Sequence, residues 1–375
     1  MTATVALVGG HGYGAHHLDR LLSPASTDIV RLVGIADPHP VADPRVSDAV
    51  VRAASLDELL DRVAPDIVII ATPIPTHAGL AQRALVSGAD VLLEKPPTAS
   101  SAEFRALLAA AAEHGRLVQV GFQSLGSSAL AAVRGQIADG AIGRITGYSA
   151  AATWSRSEQY FTRSAWAGRR RDDRGRVVAD GALTNPLAHA VATLLAVAGA
   201  GAEHAIVDIE VELYRAHDIE SDDTSFARIT LADGTEGVIA VTLCAPEQTL
   251  PVVSAIGDRG RIDLYYSIDV VVEHHDGDAL PRVTRHERVD LVHDLARVRS
   301  SGGRLASPLE DAAGFMQVLD AVMAAPDPAP IDAAFVDRID LGDLSYTVVR
   351  DIVSWVGRAA TERAGFRELG APWTH

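Results

Sequence analysis

The fold of this chain is decided by the stretch Val5-Ala6-Leu7-Val8-Gly9-Gly10-His11-Gly12-Tyr13-Gly14. An apolar, strand-forming run leads directly into glycines and then into a helical segment. Glycines at such a turn let the backbone approach a pyrophosphate, and the helix N-terminus favours its negative charge. The spacing departs from the G-x-G-x-x-G pattern, because the second position after Gly9 is His11 and Gly12 comes one residue late. The stretch still predicts a dinucleotide site built from Gly9, His11, Gly12, Tyr13 and Gly14.

An acid follows the loop at the distance that dinucleotide-binding folds use. Asp37 comes 23 residues after Gly14, at the end of the second predicted strand. Its carboxylate would accept hydrogen bonds from the adenosine ribose hydroxyls and repel a 2′-phosphate. Pro38 comes next, with no arginine to bind that phosphate. The sequence therefore predicts NAD rather than NADP as the cofactor.

The first third of the chain alternates short apolar strands with helical segments. The strands are continuous runs rich in β-branched residues, which is typical of strands buried on both faces. Two helices begin with a capping box, Ser55-x-x-Glu58 and Ser100-x-x-Glu103, whose side chains satisfy free backbone donors. Repeated β-α-β units with right-handed crossovers form a doubly wound parallel sheet. The sequence predicts an α/β protein whose N-terminal Rossmann domain covers residues 1–122.

The pattern changes after Gln123 to longer alternating runs, separated by turn signals such as Asp276-Gly277-Asp278. Such alternation is typical of antiparallel strands. We expect a helix around Pro186–Val197 and a closing helix over Leu341–Glu362. Residues 123–375 are predicted to form a C-terminal α/β domain with a large, mostly antiparallel open sheet that binds the substrate. An open sheet has a face to cover, so we expect a homodimer or homotetramer.

Composition narrows the class of protein. The 375 residues are enough for two domains with cores of their own. A formal net charge of −16 argues against nucleic acid and anionic membranes as partners, because both need a basic face. Cys244 is the one cysteine, which excludes an internal disulfide and fits a reducing compartment. With no signal peptide and no apolar run of about 20 residues, we expect a soluble cytoplasmic protein.

Lys95 is the only lysine among the 33 lysine and arginine residues, and it follows an apolar run that ends in Glu94. Arginine serves surface solubility equally well. A lysine ammonium, however, donates from a compact point, and burial can lower its pKa until it exchanges protons. We therefore interpret Lys95 as a functional residue. A surface position without a role is the alternative.

Three further motifs give the chain a resemblance to a known family. They are Ala71-Thr72-Pro73-Ile74-Pro75-Thr76-His77, Val91-Leu92-Leu93-Glu94-Lys95-Pro96 and Val120-Gly121-Phe122. In order and spacing this set resembles the Gfo/Idh/MocA family, the glucose–fructose oxidoreductase and inositol dehydrogenase group, over nearly the whole chain. The resemblance implies the two-domain fold predicted above and NAD(P)-dependent redox chemistry at a sugar or cyclitol hydroxyl. It also implies cofactor contacts from Ala71, Thr72, Pro73, His77, Glu94 and Lys95, with Lys95 reaching the substrate.

A further motif of the family, Asp-x-x-x-His, corresponds to Asn185-Pro186-Leu187-Ala188-His189. On a helix the i, i+4 spacing places Asn185 and His189 on one face, where both can address one substrate. His189 matches the family's acid/base residue, and an imidazole titrates near neutral pH. Asn185 departs from the family's aspartate, because it can orient a hydroxyl but cannot take a proton or stabilise imidazolium by charge. A helix-start asparagine with a core histidine is the alternative interpretation.

These residues are expected to have separate roles in proton transfer and substrate binding. We expect His189 to take the proton of a substrate hydroxyl, Lys95 to donate to the same oxygen, and Asn185 to hold a neighbouring hydroxyl. Lys95 as the base, with His189 as a binder, is the alternative. Gln123 is expected at the rim of cofactor and substrate, and Trp166 is expected to stack on a sugar face, although a solvated loop around Trp166 fits equally well. No set of Cys, His and Asp has metal-ligand spacing, so no metal is predicted.

Three functions are compatible with these residues. The first is a dehydrogenase of a free sugar, sugar derivative or cyclitol. The second is a glycoside-cleaving or epimerising enzyme that uses NAD transiently and releases no NADH. The third is a non-catalytic NAD-binding regulator, against which the presence of Lys95 and His189 argues.

Overall fold

The computed structural model describes residues 2–374, which form two compact units. Unit 1 comprises residues 2–126 and 289–312, and unit 2 comprises residues 127–288 and 313–374. Every helix in this described range is too short or too polar to cross a membrane.

Unit 1 is built on a parallel sheet. In the described chain its strand order is β3-β2-β1-β4-β5-β6, with all pairs parallel, so the order reverses between β1 and β4. Every residue of β4 and β5 is buried, which agrees with their apolar runs. The predicted doubly wound parallel sheet is confirmed. The elements are β1 (Ala3–Val8), α1 (Tyr13–Leu21), β2 (Val30–Ala36), β3 (Val51–Ala53), α2 (Leu56–Leu60), β4 (Ile67–Ile70), α3 (His77–Val86), β5 (Asp90–Leu93), α4 (Ser101–His114) and β6 (Val118–Val120).

Two helices of unit 1 begin at the predicted caps. Ser100 Oγ accepts a hydrogen bond from Glu103 N–H at 3.3 Å, and Glu103 Oε2 accepts one from Ala99 N–H at 3.0 Å. Ser55 and Glu58 are arranged in the same way at the start of α2. Each cap satisfies backbone donors that the helix leaves unpaired and is worth about 1 kcal/mol.

Unit 2 is built on a larger sheet. Over the residues described, its order is β14-β13-β12-β11-β7-β10-β9-β8-β15. The pairs β7–β10 and β8–β15 are parallel and the others are antiparallel, so the predicted mostly antiparallel sheet is confirmed. The elements are α5 (Ser128–Ala138), β7 (Ile145–Thr153), α6 (Glu158–Phe161), α7 (Ala188–Ala198), β8 (Ile206–Arg215), β9 (Thr224–Leu231), β10 (Glu236–Thr242), β11 (Val252–Gly257), β12 (Gly260–Tyr265), β13 (Val270–His275), β14 (Arg282–Arg285), α9 (Ala313–Ala324), β15 (Ala329–Pro330), β16 (Val336–Leu341), β17 (Leu344–Val349) and α10 (Ile352–Glu362).

Helix α8 (Leu291–Ser301) is the return of the chain to unit 1, and the sequence analysis did not predict it. Its apolar side chains join those of α1 and β1 in one core. Arg299 anchors its end by donating to Asp66 at 2.8 Å and to Asp90 at 2.6 Å. These acids lie 233 and 209 residues earlier in the chain. The predicted division into residues 1–122 and 123–375 places α8 in the C-terminal domain, whereas the structure places it in unit 1.

The closing helix predicted over Leu341–Glu362 is wrong in its first half. That part belongs to the hairpin of β16 and β17, which turns at Gly342 with φ of 62°. The run Tyr346-Thr347-Val348-Val349 is aromatic and β-branched, and such residues favour a strand. The helix proper begins at Ile352.

The C-terminal segment covers part of the large sheet. Helix α10 packs on β7 and β10, and Phe366 and Trp373 continue the same apolar core. The face that we expected to be open is therefore partly covered by the chain itself. The predicted homodimer or homotetramer stays a prediction.

Candidate functional site

The predicted cofactor residues of unit 1 follow the carboxyl ends of neighbouring strands. Gly9 follows β1, Ala71 follows β4, Glu94 follows β5 and Gln123 comes three residues after the end of β6. The carboxyl ends of parallel strands meet at one edge of a sheet, and dinucleotides bind there where the strand order reverses. The structure therefore brings these residues to one edge, next to the reversal between β1 and β4.

The glycines of the loop after β1 have two different roles. A Cβ on Gly9 would lie 2.5 Å from the carbonyl oxygen of Ala71, and a Cβ on Gly14 would overlap the carbonyl oxygen of Gly9. These two glycines therefore allow close packing of the loop. Gly12 is exposed and has φ of 58°, and a Cβ there would meet nothing within 4 Å. Tyr13, which begins α1, is also exposed.

Asp37 is held at the end of β2 by the glycine loop. Its Oδ2 accepts from Gly10 N–H at 2.8 Å and lies 3.0 Å from His11 Nδ1, and its Oδ1 accepts from His39 N–H at 2.9 Å. Burial opposes ionisation, but the hydrogen bonds from His39, His11 and Gly10 outweigh it and lower the pKa of the Asp37 carboxyl. An ionised acceptor therefore stands at the end of β2. His11, predicted as a cofactor contact, orients this acid.

His77 joins two loops at the same edge. It is 1% exposed, with Nδ1 2.8 Å from Pro96 O and Nε2 2.7 Å from Thr72 O. Burial lowers the pKa of His77, so the neutral ring has one N–H to donate to these two carbonyls. The structure therefore places His77 behind the loops, where its ring contacts the carbonyl groups of Thr72 and Pro96, the second of which follows the cis Lys95–Pro96 peptide. Pro73, predicted beside the cofactor, is exposed on the first of these loops.

Glu94 and Lys95 follow β5. Glu94 is 6% exposed; its Oε1 accepts from Gln123 Nε2 at 3.1 Å and lies 2.8 Å from His17 Nε2, and its Oε2 accepts from Lys95 N–H at 3.2 Å. Burial raises the pKa of this carboxyl, but the hydrogen bond and charge of His17 and the charge of Lys95 outweigh it, so the pKa of Glu94 is lowered. A Cβ on Gly121 would come within 2.7 Å of Glu94 Oε1. An ionised carboxylate is thus enclosed directly before the chain's one lysine.

His17 is the member of this cluster that the sequence analysis missed. It lies on the buried face of α1 together with Gly14, Leu18 and Leu21. A histidine at the spacing of buried apolar residues indicates a buried polar partner. The identity of that partner, Glu94, is set by tertiary packing, because the two residues are 77 positions apart.

Asn185 and His189 lie at the start of α7 in unit 2. The helix begins at Ala188, so the predicted helical face does not include Asn185, which lies in the preceding turn with its N–H bonded to Gly181 O at 2.9 Å. Asn185 directly precedes Pro186, and the residue before a proline is disfavoured in helical conformation. This accounts for a helix that begins only after Asn185. His189 is half-buried in the first turn of the helix.

A buried acid holds Asn185 in place. Asn185 Nδ2 donates to Asp180 Oδ1 at 2.5 Å, while Gly168 N–H and Arg163 donate to Oδ2 at 2.7 and 2.9 Å. Asp180 is 2% exposed. The guanidinium of Arg163 lies 4.8 Å from the ring centre of Trp166, the residue predicted to stack on a sugar. Asp180 was missed by the sequence analysis, and no local pattern points to it.

A separate buried cluster in unit 2 contains His217, Asp223 and Cys244, whose candidate metal-ligand atoms lie within 4.8 Å of one another. Asp223 Oδ2 accepts from the backbone N–H groups of Ala216 and His217 at 2.8 Å each, and His217 Nδ1 lies 2.8 Å away, a hydrogen-bond distance. Burial raises the pKa of the Cys244 thiol, and metals bind the thiolate. The cluster is a hydrogen-bonded core, and we assign no metal to it.

Two family models match the chain. The model described as an oxidoreductase family with an NAD-binding Rossmann fold matches residues 3–122, and the GFO/IDH/MocA C-terminal domain matches residues 130–263. The chain belongs to the Gfo/Idh/MocA family. The resemblance inferred from the motifs is confirmed, and the part of unit 1 that carries the glycine loop is the NAD-binding Rossmann domain of a Gfo/Idh/MocA protein.

Curated relatives match this Gfo/Idh/MocA protein over part of their length. The inositol 2-dehydrogenase of Rhizobium meliloti (strain 1021) is 30% identical over 146 residues, which are 39% of this chain and 43% of that protein. The dTDP-3,4-didehydro-2,6-dideoxy-alpha-D-glucose 3-reductase of Streptomyces violaceoruber is 40% identical over 97 residues, which are 26% of this chain and 28% of that protein. The matches thus span less than half the length of these relatives.

Solved structures share the Gfo/Idh/MocA fold over most of the chain. The WlbA dehydrogenase from Bordetella pertussis in complex with NADH and UDP-GlcNAcA has a TM-score of 0.70 at 21% identity, covering 86% of this chain and 95% of that one. Levoglucosan dehydrogenase in complex with NADH has a TM-score of 0.68 at 19% identity, covering 86% and 96%. At these identities the likeness shows the fold.

Proposed function

We propose that this protein is an NAD-dependent dehydrogenase that oxidises a secondary hydroxyl of a sugar, sugar derivative or cyclitol. The observation that carries the proposal is the pair Glu94 and Lys95. An enclosed, ionised carboxylate precedes the one lysine of the chain, at the sheet edge that also carries the glycine loop. The names of the relatives, an inositol dehydrogenase and a sugar reductase, support the same class of substrate.

The residues of unit 1 fit NAD. The open space at Gly12 lets a phosphate approach the main chain, and the first turn of α1 carries neither an acid nor a side-chain cap. Asp37 offers an ionised acceptor to the adenosine ribose hydroxyls and would repel the 2′-phosphate of NADP. Thr72 and Pro73 would lie on the nicotinamide side, as in the family.

Each proposed catalytic residue would act on a defined atom of the substrate. Bound NAD would supply the acceptor for the hydride that leaves the carbinol carbon. Lys95 would donate from Nζ to the hydroxyl oxygen and stabilise negative charge on it. His189 would take the hydroxyl proton on a ring nitrogen. Asn185, Gln123 and Trp166 would bind and orient the carbohydrate.

NADH absorbance with purified protein, NAD or NADP, and a panel of free sugars, sugar acids, inositols and glycosides tests the proposal. We expect steady NADH formation with NAD and one class of polyol, and a loss of about 100-fold or more in kcat in Lys95→Ala and in His189→Ala. Nearly intact turnover in both variants would overturn the assignment. Changed carbohydrate without NADH release would indicate transient redox chemistry, and NAD binding without turnover would indicate a regulator.

The oligomeric state is the subject of a separate proposal. The large sheet of unit 2 is covered in part by α10, and we propose that a second copy of the chain covers more of it in a homodimer or homotetramer. Light scattering measures the mass in solution, and a monomer would overturn this.

A further inference from the structure

A buried polar cluster of unit 2 is centred on the carboxylate of Asp180. This acid is 2% exposed and accepts hydrogen bonds on both oxygens. Gly168 N–H donates to Oδ2 at 2.7 Å, Arg163 Nη2 lies 2.9 Å from Oδ2 and 3.1 Å from Oδ1, and Asn185 Nδ2 donates to Oδ1 at 2.5 Å. A buried carboxylate with one guanidinium and two uncharged N–H donors is well satisfied.

This contact decides which way the Asn185 amide points. A carboxylate accepts hydrogen bonds and has no proton to donate, so the amide must turn its Nδ2 towards Asp180. The opposite end of the amide is Oδ1, an acceptor. Turning the amide over would bring Oδ1 against a carboxylate oxygen, which costs the hydrogen bond and adds repulsion.

Arg163 keeps the acid in place. Its guanidinium lies 3.8 Å from the ring centre of Tyr160 and 4.8 Å from that of Trp166, so it is held by two cation–π contacts as well as by the ion pair. The side chain of Asp180 is 1% exposed and that of Arg163 is 27% exposed. The Asp180 carboxylate thus forms an ion pair with Arg163 and also accepts a hydrogen bond from the Asn185 amide.

We propose that Asp180 is a positioning residue that fixes the Asn185 amide with its oxygen presented to a hydroxyl of the carbohydrate. The inference rests on the proposed function of Asn185 in substrate binding. It explains why position 185 carries an uncharged donor: a second carboxylate there would face Asp180 at hydrogen-bond distance. Asp180 acts through Asn185 and does not itself touch the substrate.

An exchange of the two side chains tests the proposal. Asn185→Asp places two acids together, so we expect kcat/KM for the carbohydrate to fall about 10- to 100-fold at neutral pH. The loss should appear mainly in KM for the carbohydrate, with KM for NAD unchanged. It should diminish at lower pH, because one protonated carboxyl can donate to the other. The double variant Asp180→Asn/Asn185→Asp restores one donor and one acceptor and should regain about tenfold of the loss.

Two controls separate this role from general damage. Asp173→Asn removes an exposed acid from the segment between Arg163 and Asp180 and should leave the kinetics unchanged. Melting temperatures of the wild type, Asn185→Asp, Asp180→Asn and the double variant form a double-mutant cycle that needs no activity, and we expect the double variant to be more stable than the sum of the two single changes predicts. Asn185→Asp with wild-type kinetics at every pH would overturn the proposal, as would a double variant without recovery.

A different result would overturn the proposed function. If the wild-type protein bound NAD but turned over no carbohydrate in the panel, the dehydrogenase assignment would be wrong. The melting-temperature cycle would then still decide whether Asp180 holds residue 185, and an absence of coupling there would overturn the inference. Coupling in melting temperature without any change in KM or in its pH dependence would also overturn it, because the contact would then serve only stability.

Discussion

Replacing His17 with alanine should destabilise unit 1, because it leaves the Glu94 carboxylate enclosed without its histidine partner. Glu94 is 6% exposed, and His17 Nε2 lies 2.8 Å from its Oε1. Removing one partner of a buried charged contact costs about 3–5 kcal/mol. Glu94 keeps its bonds from Gln123 and from the Lys95 N–H, so we expect the lower end, about 3 kcal/mol. For a unit of this size that lowers the melting temperature by about 6–12 °C.

The loss of stability in His17→Ala should depend on pH. In the wild type the pKa of Glu94 is lowered, so the stability from its ionisation is fully present above the unfolded value of 4.5 and is lost as the pH falls through the folded pKa. In the variant, burial raises the pKa of Glu94 with less to oppose it. The folded variant therefore takes up a proton more readily and gains stability as the pH falls. The difference in free energy of unfolding between the two proteins should be largest near neutral pH and shrink towards 4.5.

Thermal unfolding followed by circular dichroism at several pH values measures this difference. His16→Ala, at the exposed neighbouring position on α1, is the matched control and should behave like the wild type. His17→Gln should recover part of the loss, because its amide can donate to Glu94. A melting temperature of His17→Ala within about 1 °C of the wild type would refute the reasoning, and so would a loss that is the same at every pH.

Three further changes test other parts of the structure. Gly14→Ala should weaken NAD binding at least about tenfold or prevent folding, because its Cβ would overlap the Gly9 carbonyl oxygen; NAD titration checks this, and wild-type affinity would contradict it. Asp37→Ala should lower the preference for NAD over NADP by about tenfold or more in kcat/KM, and an unchanged ratio would remove the assigned role. Burial lowers the pKa of His217, but the hydrogen bond and charge of Asp223 outweigh it and raise the pKa above 6.5. Stability from His217 should therefore be full below pH 6.5 and fall as the pH rises through the raised pKa; in His217→Gln this dependence should disappear, and its persistence in unfolding curves would exclude His217 as the cause.

The parts predicted well from the sequence depend on neighbours in the chain. The turn at Gly9 and Gly12 needs glycine for its own backbone, and the start of α4 needs only Ser100 and Glu103. The buried strands are visible as apolar runs because both of their faces are covered. The end of the chain was predicted less well, because the prediction is a helix over Leu341–Glu362 although its run Tyr346-Thr347-Val348-Val349 favours a strand.

Contacts between distant residues were not predictable in the same way. Helix α8 joins unit 1 through Arg299, whose partners lie more than 200 residues earlier in the chain. His17 was visible as a buried helical position, but its pairing with Glu94 follows from how α1 packs on the sheet. In each case many acids or cations elsewhere in the chain have the same chemistry, and packing selects one of them.

The sequence by itself determined the parallel sheet, the glycine loop, the acid at Asp37 and the single lysine at the end of β5, because backbone conformation and apolar periodicity are local properties. Only the tertiary structure decided that Glu94 is enclosed by His17 and Gln123, and that Asp180 holds the amide of Asn185. A buried charge must find its donors wherever the packed chain places them. Glu94 and His17 are 77 positions apart and meet only in the folded unit 1, whereas Asp180 and Asn185 of unit 2 are five positions apart but no local pattern shows that their side chains meet.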